Sequence, residues 1–94
     1  MFIASKLTDR KDIEVFCEEY ERILLADGFD AAFIGVGTQF SNEPVAVYDL
    51  KKCLKILEED GMTYDEAVEF FDYNVQGSWV GKQTPMFVDT LEHL

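Results

Sequence analysis

Residues 61 to 88 read GMTYDEAVEFFDYNVQGSWVGKQTPMFV, and the fold follows from how this stretch divides. Thr63-Tyr64-Asp65-Glu66 is a capping box: the Thr63 hydroxyl can accept the Glu66 N–H, and the Glu66 carboxylate can accept the Thr63 N–H. Met62 and Ala67 then occupy the two positions of a hydrophobic staple. Asp65 and Glu66 lie at the positive end of the helix dipole, where acids are favoured. Ala67, Val68, Phe70, Phe71 and Val75 repeat at helical spacing and form one apolar stripe. Asp65, Glu69 and Asp72 form the opposite one. Gly61 suits the left-handed stop of a preceding helix, and Gly77 ends the pattern. After a loop over 79–85, Met86-Phe87-Val88 reads as a short strand, with Pro85 tolerated at its start.

Upstream of Gly61 the chain supplies a second helix, from Leu50 to about Asp60, capped by Asp49. Its buried set is Leu50, Cys53, Leu54 and Leu57. Lys51, Lys52 and Lys55 cluster at its start and Glu58, Glu59 and Asp60 at its end, the unfavourable order for the dipole. Val45 to Tyr48 reads as a strand, joined by the loop Ser41 to Pro44 to an earlier strand over Ala31 to Phe40. Gly35 and Gly37 hint at a bulge in that first strand. Before it comes a helix expected from Asp9 to Ala26, capped by Thr8 or Asp9. Its buried face is Ile13, Phe16, Cys17, Tyr20, Ile23 and Leu24. Residues 1–6 are a short strand or an ordered tail, and residues 90–94 a tail.

The order is helix, strand, strand, helix, helix, strand. It predicts an α+β fold in which a small three-stranded sheet, expected to be antiparallel, is covered by three helices on one face. Ninety-four residues make one domain, 1–94, large enough for a single core. The apolar fraction of 48% argues for a folded globule rather than disorder. No apolar run approaches the ~20 residues of a membrane span, and the N-terminal apolar segment is too short for a signal peptide. The cytoplasm of the cell that makes it is the expected location. Cys17 and Cys53 read as small buried hydrophobes, and there is no CxxC pair.

Nineteen acids against eight bases leave a net charge of −11. That argues against nucleic acid or an anionic membrane as a direct ligand, since binding phosphate takes a basic footprint. Neither a cofactor nor a resident metal is expected. Gly35-Val36-Gly37 is no nucleotide loop: Phe40 stands where the third glycine belongs, and no helix starts there. An EF-hand centred on Gly61 would put Ile56 and Ala67 at its first and last ligand positions, which disqualifies it. His93, the lone histidine, sits in the terminal tail, poorly placed for a general base. An enzyme built on paired carboxylates and a metal is the least favoured reading.

One signal points to a partner. From Ile56 to Gly81 there are seven acids and no Lys or Arg: Glu58, Glu59, Asp60, Asp65, Glu66, Glu69 and Asp72. Residues one helical turn apart lie ~5–6 Å from each other on a helix surface. Two adjacent helices can therefore present an array of carboxylates on roughly the scale of a phosphate backbone. Such an array can be steered onto a basic surface, including a nucleic-acid channel of another protein. The ordinary reading is the solvated face of an acidic protein. Trp79, in the Gly-flanked loop of residues 77–81, is the candidate aromatic anchor; covering the end of the core would serve it equally well.

The run PVAVYDLKKCLKILEEDGMTYDEAVEFFDYNVQGSWVGKQTPMFV, with DAAFIGVG before it, resembles a group of small hypothetical proteins encoded by bacteriophages and prophages. The resemblance covers roughly the last two-thirds of the chain and carries no assigned activity or site residues. It implies a viral accessory protein made in a bacterial cytoplasm. By analogy of size and charge, small acidic phage proteins include inhibitors of host nucleases, restriction enzymes and CRISPR effectors, some of them DNA mimics. The expectation is a non-enzymatic protein that binds a host protein through the seven acids and Trp79. The alternative is a structural module acting as a homodimer, paired through a strand edge or the Trp79 loop.

Overall fold

The computed structural model describes residues 10–20, 23–40, 42–77 and 81–93. The readings for residues 1–6, the cap at Thr8 or Asp9, and Trp79 lie outside them. The fold is α+β. Helix α1 (Arg10–Phe16) runs into a 3₁₀ turn at Cys17–Glu19, and a second 3₁₀ turn at Asp30–Ala32 leads into β1 (Phe33–Gly37). Strand β2 (Val45–Asp49) is followed by α2 (Leu50–Glu59) and α3 (Tyr64–Phe71). A π-helical turn at Asp72–Gln76 extends α3, and β3 (Met86–Val88) and a 3₁₀ turn at Leu91–His93 complete the described chain.

The local signals around α3 take the form expected of them. Glu66 N–H donates to Thr63 Oγ1 at 3.2 Å, and Thr63 N–H donates to Glu66 Oε1 at 2.9 Å. Ala67 is fully buried, with Met62 packed against the same core. Gly61 has φ +110°, open to glycine and strained for other residues. Asp49 Oδ1 accepts the Lys52 N–H at 3.1 Å and caps α2.

The sheet order is β1-β2-β3. β1 and β2 form an antiparallel hairpin whose register shifts between Phe33 and Gly35, the bulge that the glycines suggested. The expectation of an antiparallel sheet is overturned at β3, which runs parallel to β2 with Tyr48 beside Phe87. The reason is connectivity. A chain that leaves one end of a strand and crosses back through helices before pairing again returns in the same direction. Here α2 and α3 make that crossover.

The first helix is also shorter than its apolar spacing predicts. Tyr20 has already turned extended, with φ −114° and ψ 109°, and residues 23–26 are irregular. Glu18 and Glu19 lie in the final turn with no base among them, the wrong charge for a helix C-terminus. Ile23, Leu25 and Ala26 still pack against the core, but on non-helical backbone, and the Ala26 N–H donates to the Tyr48 hydroxyl at 2.8 Å. Phe16 and Leu24, expected to be buried, are exposed. The segment after β3 is likewise no simple tail, since Leu91–His93 forms a turn.

All three helices contribute to the face of the sheet that carries Ala46 and Tyr48. Phe33, Tyr48 and Phe87 make a cross-strand row, with ring centroids 5.6 and 5.7 Å apart. Phe71 of α3 meets Phe87 edge-on at 4.9 Å, and Phe16 of α1 meets Phe33 at 6.2 Å. Cys53, Leu54 and Leu57 of α2 complete the cluster. Such ring pairs add about 0.5–1.5 kcal/mol each beyond area burial.

The shared end of β2 and β3 is stapled by polar contacts. Thr90 Oγ1 donates to Asp49 Oδ2 at 3.3 Å. Lys51 lies 4.0 Å from Asp89 and Lys52 3.7 Å from Glu92. These pairs account for two of the lysines at the unfavourable end of α2: they face acids delivered by the chain after β3.

Both cysteines are buried and unpaired. Burial pushes the Cys53 thiol from its ordinary 9.0 up to about 12, with a smaller contribution from Asp49, and raises Cys17 as well. The attacking species is the thiolate, so neither cysteine is expected to react with a disulfide reagent at pH 8 unless denaturant is added. The native state keeps a Cys53 proton that the unfolded chain gives up. Stability is therefore expected to be complete below the ordinary thiol value and to fall as pH rises toward about 12, which alkaline unfolding monitored by circular dichroism would record.

Candidate functional site

The seven acids singled out by sequence all lie on the surface. Glu58, Glu59 and Asp60 are exposed at the end of α2, Asp65, Glu66 and Glu69 on α3, and Asp72 at the start of the π turn. Among the described residues none of the seven pairs with a cation. The ion pairs use acids elsewhere: Arg10 holds Asp27 at 2.8 Å and Asp30 at 3.1 Å, and Lys51 and Lys52 hold Asp89 and Glu92. Burial works against the Arg10 charge, but hydrogen bonding and attraction from Asp30, then Asp27, outweigh it and its pKa is raised. Lys51, Lys52 and Lys55 stand in the first half of α2, so the negative surface is the C-terminal end of α2 together with the outer face of α3, not the whole of both helices. Of the seven, Glu66 alone has a local structural task, in the capping box. Asp72, at the negative end of α3, costs a few tenths of a kcal/mol where it stands.

Helix α3 has two working faces. Ala67 and Phe71 are buried, and Val68 and Val75 pack against the core. Phe70, read from sequence as part of the buried stripe, is 38% exposed. At ~100° per residue it stands well off the Ala67–Phe71 axis, beside Glu66 and Glu69 instead. Tyr73, on the far side of that axis, is 77% exposed. A shallow groove of about 430 Å³ runs along this outer face, lined by Met62, Glu66, Glu69, Phe70, Tyr73 and Asn74. The π turn beneath Tyr73 closes tightly on Gly77, where a Cβ would sit 2.9 Å from the Asp72 carbonyl oxygen. The carboxylates are therefore interleaved with aromatic rings, a feature the charge count alone missed. A helical projection carries the signal, because Tyr73 falls on the Glu66–Glu69 side.

A second, larger cleft of about 680 Å³ opens at the hairpin end of the sheet, between the β1–β2 loop and the turn before β3. Glu43, Asn42, Lys82 and Thr84 line it together with Val45 and Met86. Its groups are mixed in charge and none is a catalytic constellation. Among the described residues no three His, Cys, Asp or Glu side chains gather as a metal cage requires, and no helix is long and apolar enough to cross a membrane. Comparison of the chain with known protein families, with curated proteins and with solved structures finds no match.

Proposed function

We propose that the chain is a non-enzymatic, acidic accessory protein of bacteriophage origin, acting in the bacterial cytoplasm, that binds and modulates a host protein through the outer faces of α2 and α3. One way of doing so is to occupy a basic nucleic-acid site on that protein. The observation that carries this reading is the segregation of charge: seven exposed carboxylates between residues 58 and 72 without a cationic partner among the described residues, while Arg10, Lys51 and Lys52 pair with other acids. Charges left in water serve the interior nothing, and an unrelieved negative face speeds encounter with a positive one. The exposed rings of Phe70 and Tyr73 add the kind of aromatic contact that anchors interfaces.

The test is capture of a partner from bacterial lysate by the immobilised chain, at about 50 mM and 500 mM salt, because screening lengths shorten over that range. A specific partner is expected to be retained at low salt, released at high salt, and bound at least about tenfold more weakly by the double variant Glu69→Lys, Asp72→Lys. A partner indifferent to both, or none at all, counts against the reading. The alternative, a homodimer paired through a strand edge or the Trp79 loop, has two edges in the described sheet, β1, where Ile34 is exposed, and β3, where Met86 is. The bulge beside Ile34 works against edge pairing, and light scattering is expected to give the monomer mass.

A further inference from the structure

The groove on α3 has a chemistry narrower than general acidity. It is lined by Met62, Phe70, Tyr73 and Asn74 together with the carboxylates Glu66 and Glu69. The Glu66 carboxylate is held in place, since Oε1 already accepts the Thr63 N–H at 2.9 Å, and its second oxygen has capacity to accept another donor. Glu69 lies one turn along the same helix, within reach of the same guest. A lipid chain or a neutral apolar side chain would suit the rings but would take two carboxylates out of water without compensation, which is costly. An anion would be repelled. A compact ammonium would satisfy the carboxylates and gain less from the rings. A planar guanidinium does both: it stacks on an aromatic face and donates in a fork to carboxylates.

We propose that this groove takes an arginine side chain from a basic segment of the partner protein, the guanidinium lying against the Tyr73 ring between the Glu66 and Glu69 carboxylates. The proposal rests on the docking reading above and makes it specific. Arginine, not basic charge in general, sets the affinity at this point, and Tyr73 reads it. Asp65, Asp72 and the acids ending α2 steer the partner without contacting that side chain.

The experiment is an NMR titration of the full chain with end-blocked hexa-arginine and, separately, hexa-lysine at low salt. Hexa-arginine is expected to shift the Tyr73 and Phe70 ring resonances and to bind about three- to tenfold more tightly than hexa-lysine. Tyr73→Phe should keep that preference. Tyr73→Leu, at a position 77% exposed and so harmless to folding, should reduce it to the lysine level. Glu69→Gln should weaken both peptides more than Glu58→Gln does. Equal binding of the two peptides, with Tyr73→Leu silent and Glu58→Gln as costly as Glu69→Gln, would overturn the arginine groove and leave acidic docking standing. Failure of both peptides to bind would overturn both.

Discussion

Replacing Tyr48 with alanine is expected to remove about 3–5 kcal/mol of folding stability, a large share of the roughly 5–14 kcal/mol available to a domain of this length. Tyr48 is fully buried on the central strand. Its ring touches Phe33 on one side and Phe87 on the other, so the row that joins all three strands breaks at its middle. Its hydroxyl accepts the Ala26 N–H, the contact that seats the irregular segment after α1. Tyr48→Phe isolates this second role: the ring stays, the backbone donor loses its partner, and about 1–3 kcal/mol should go. Urea unfolding followed by circular dichroism separates the two variants. Equal losses would mean that the ring contributes nothing beyond its hydroxyl, contrary to the packing described.

The second large effect is expected at Asp49, which is 1% exposed. It caps α2 through Lys52 N–H and accepts from Thr90 Oγ1, so it ties the start of the crossover to the chain leaving β3. Asp49→Ala should cost about 2–4 kcal/mol, from the cap and the hydrogen bond to a charged group together. Asn at the same position keeps a capping oxygen and should cost about 1 kcal/mol. Because Asp49 pairs with Val88 in the parallel ladder, amide exchange of residues 86–88 should accelerate more in the alanine variant than exchange in the β1–β2 hairpin.

Much of this architecture can be read from residue types at fixed offsets. Thr63 with Glu66, Asp49 before Leu50, Gly61 after α2, and the paired glycines of β1 are local signals, and each takes its expected role. What could not be read that way depended on contacts distant in sequence. Residues 23–26 follow the apolar spacing of a helix, yet the Tyr48 hydroxyl, more than twenty residues on, claims the Ala26 N–H. The direction of β3 was not legible either, because two helices and a loop between β2 and β3 can deliver the chain to either end of the sheet, and only the pairing of Tyr48 with Phe87 fixes it as parallel. In the candidate site, the acids were visible as composition. Their aromatic neighbours were not, because Phe70 was assigned to the buried stripe by spacing alone and Tyr73 to no face at all. Two of the three α2 lysines, Lys51 and Lys52, face Asp89 and Glu92 from the chain after β3, contacts distant in sequence that no local signal announces.

Hydrogen exchange of the chain, free and bound to its captured protein partner, tests the docking face most directly. The account predicts that protection gained on binding is confined to residues 58–76, with the β1–β2 hairpin unchanged. Protection gained along β1 and the cleft at residues 37–45, with α3 unaltered, would contradict it.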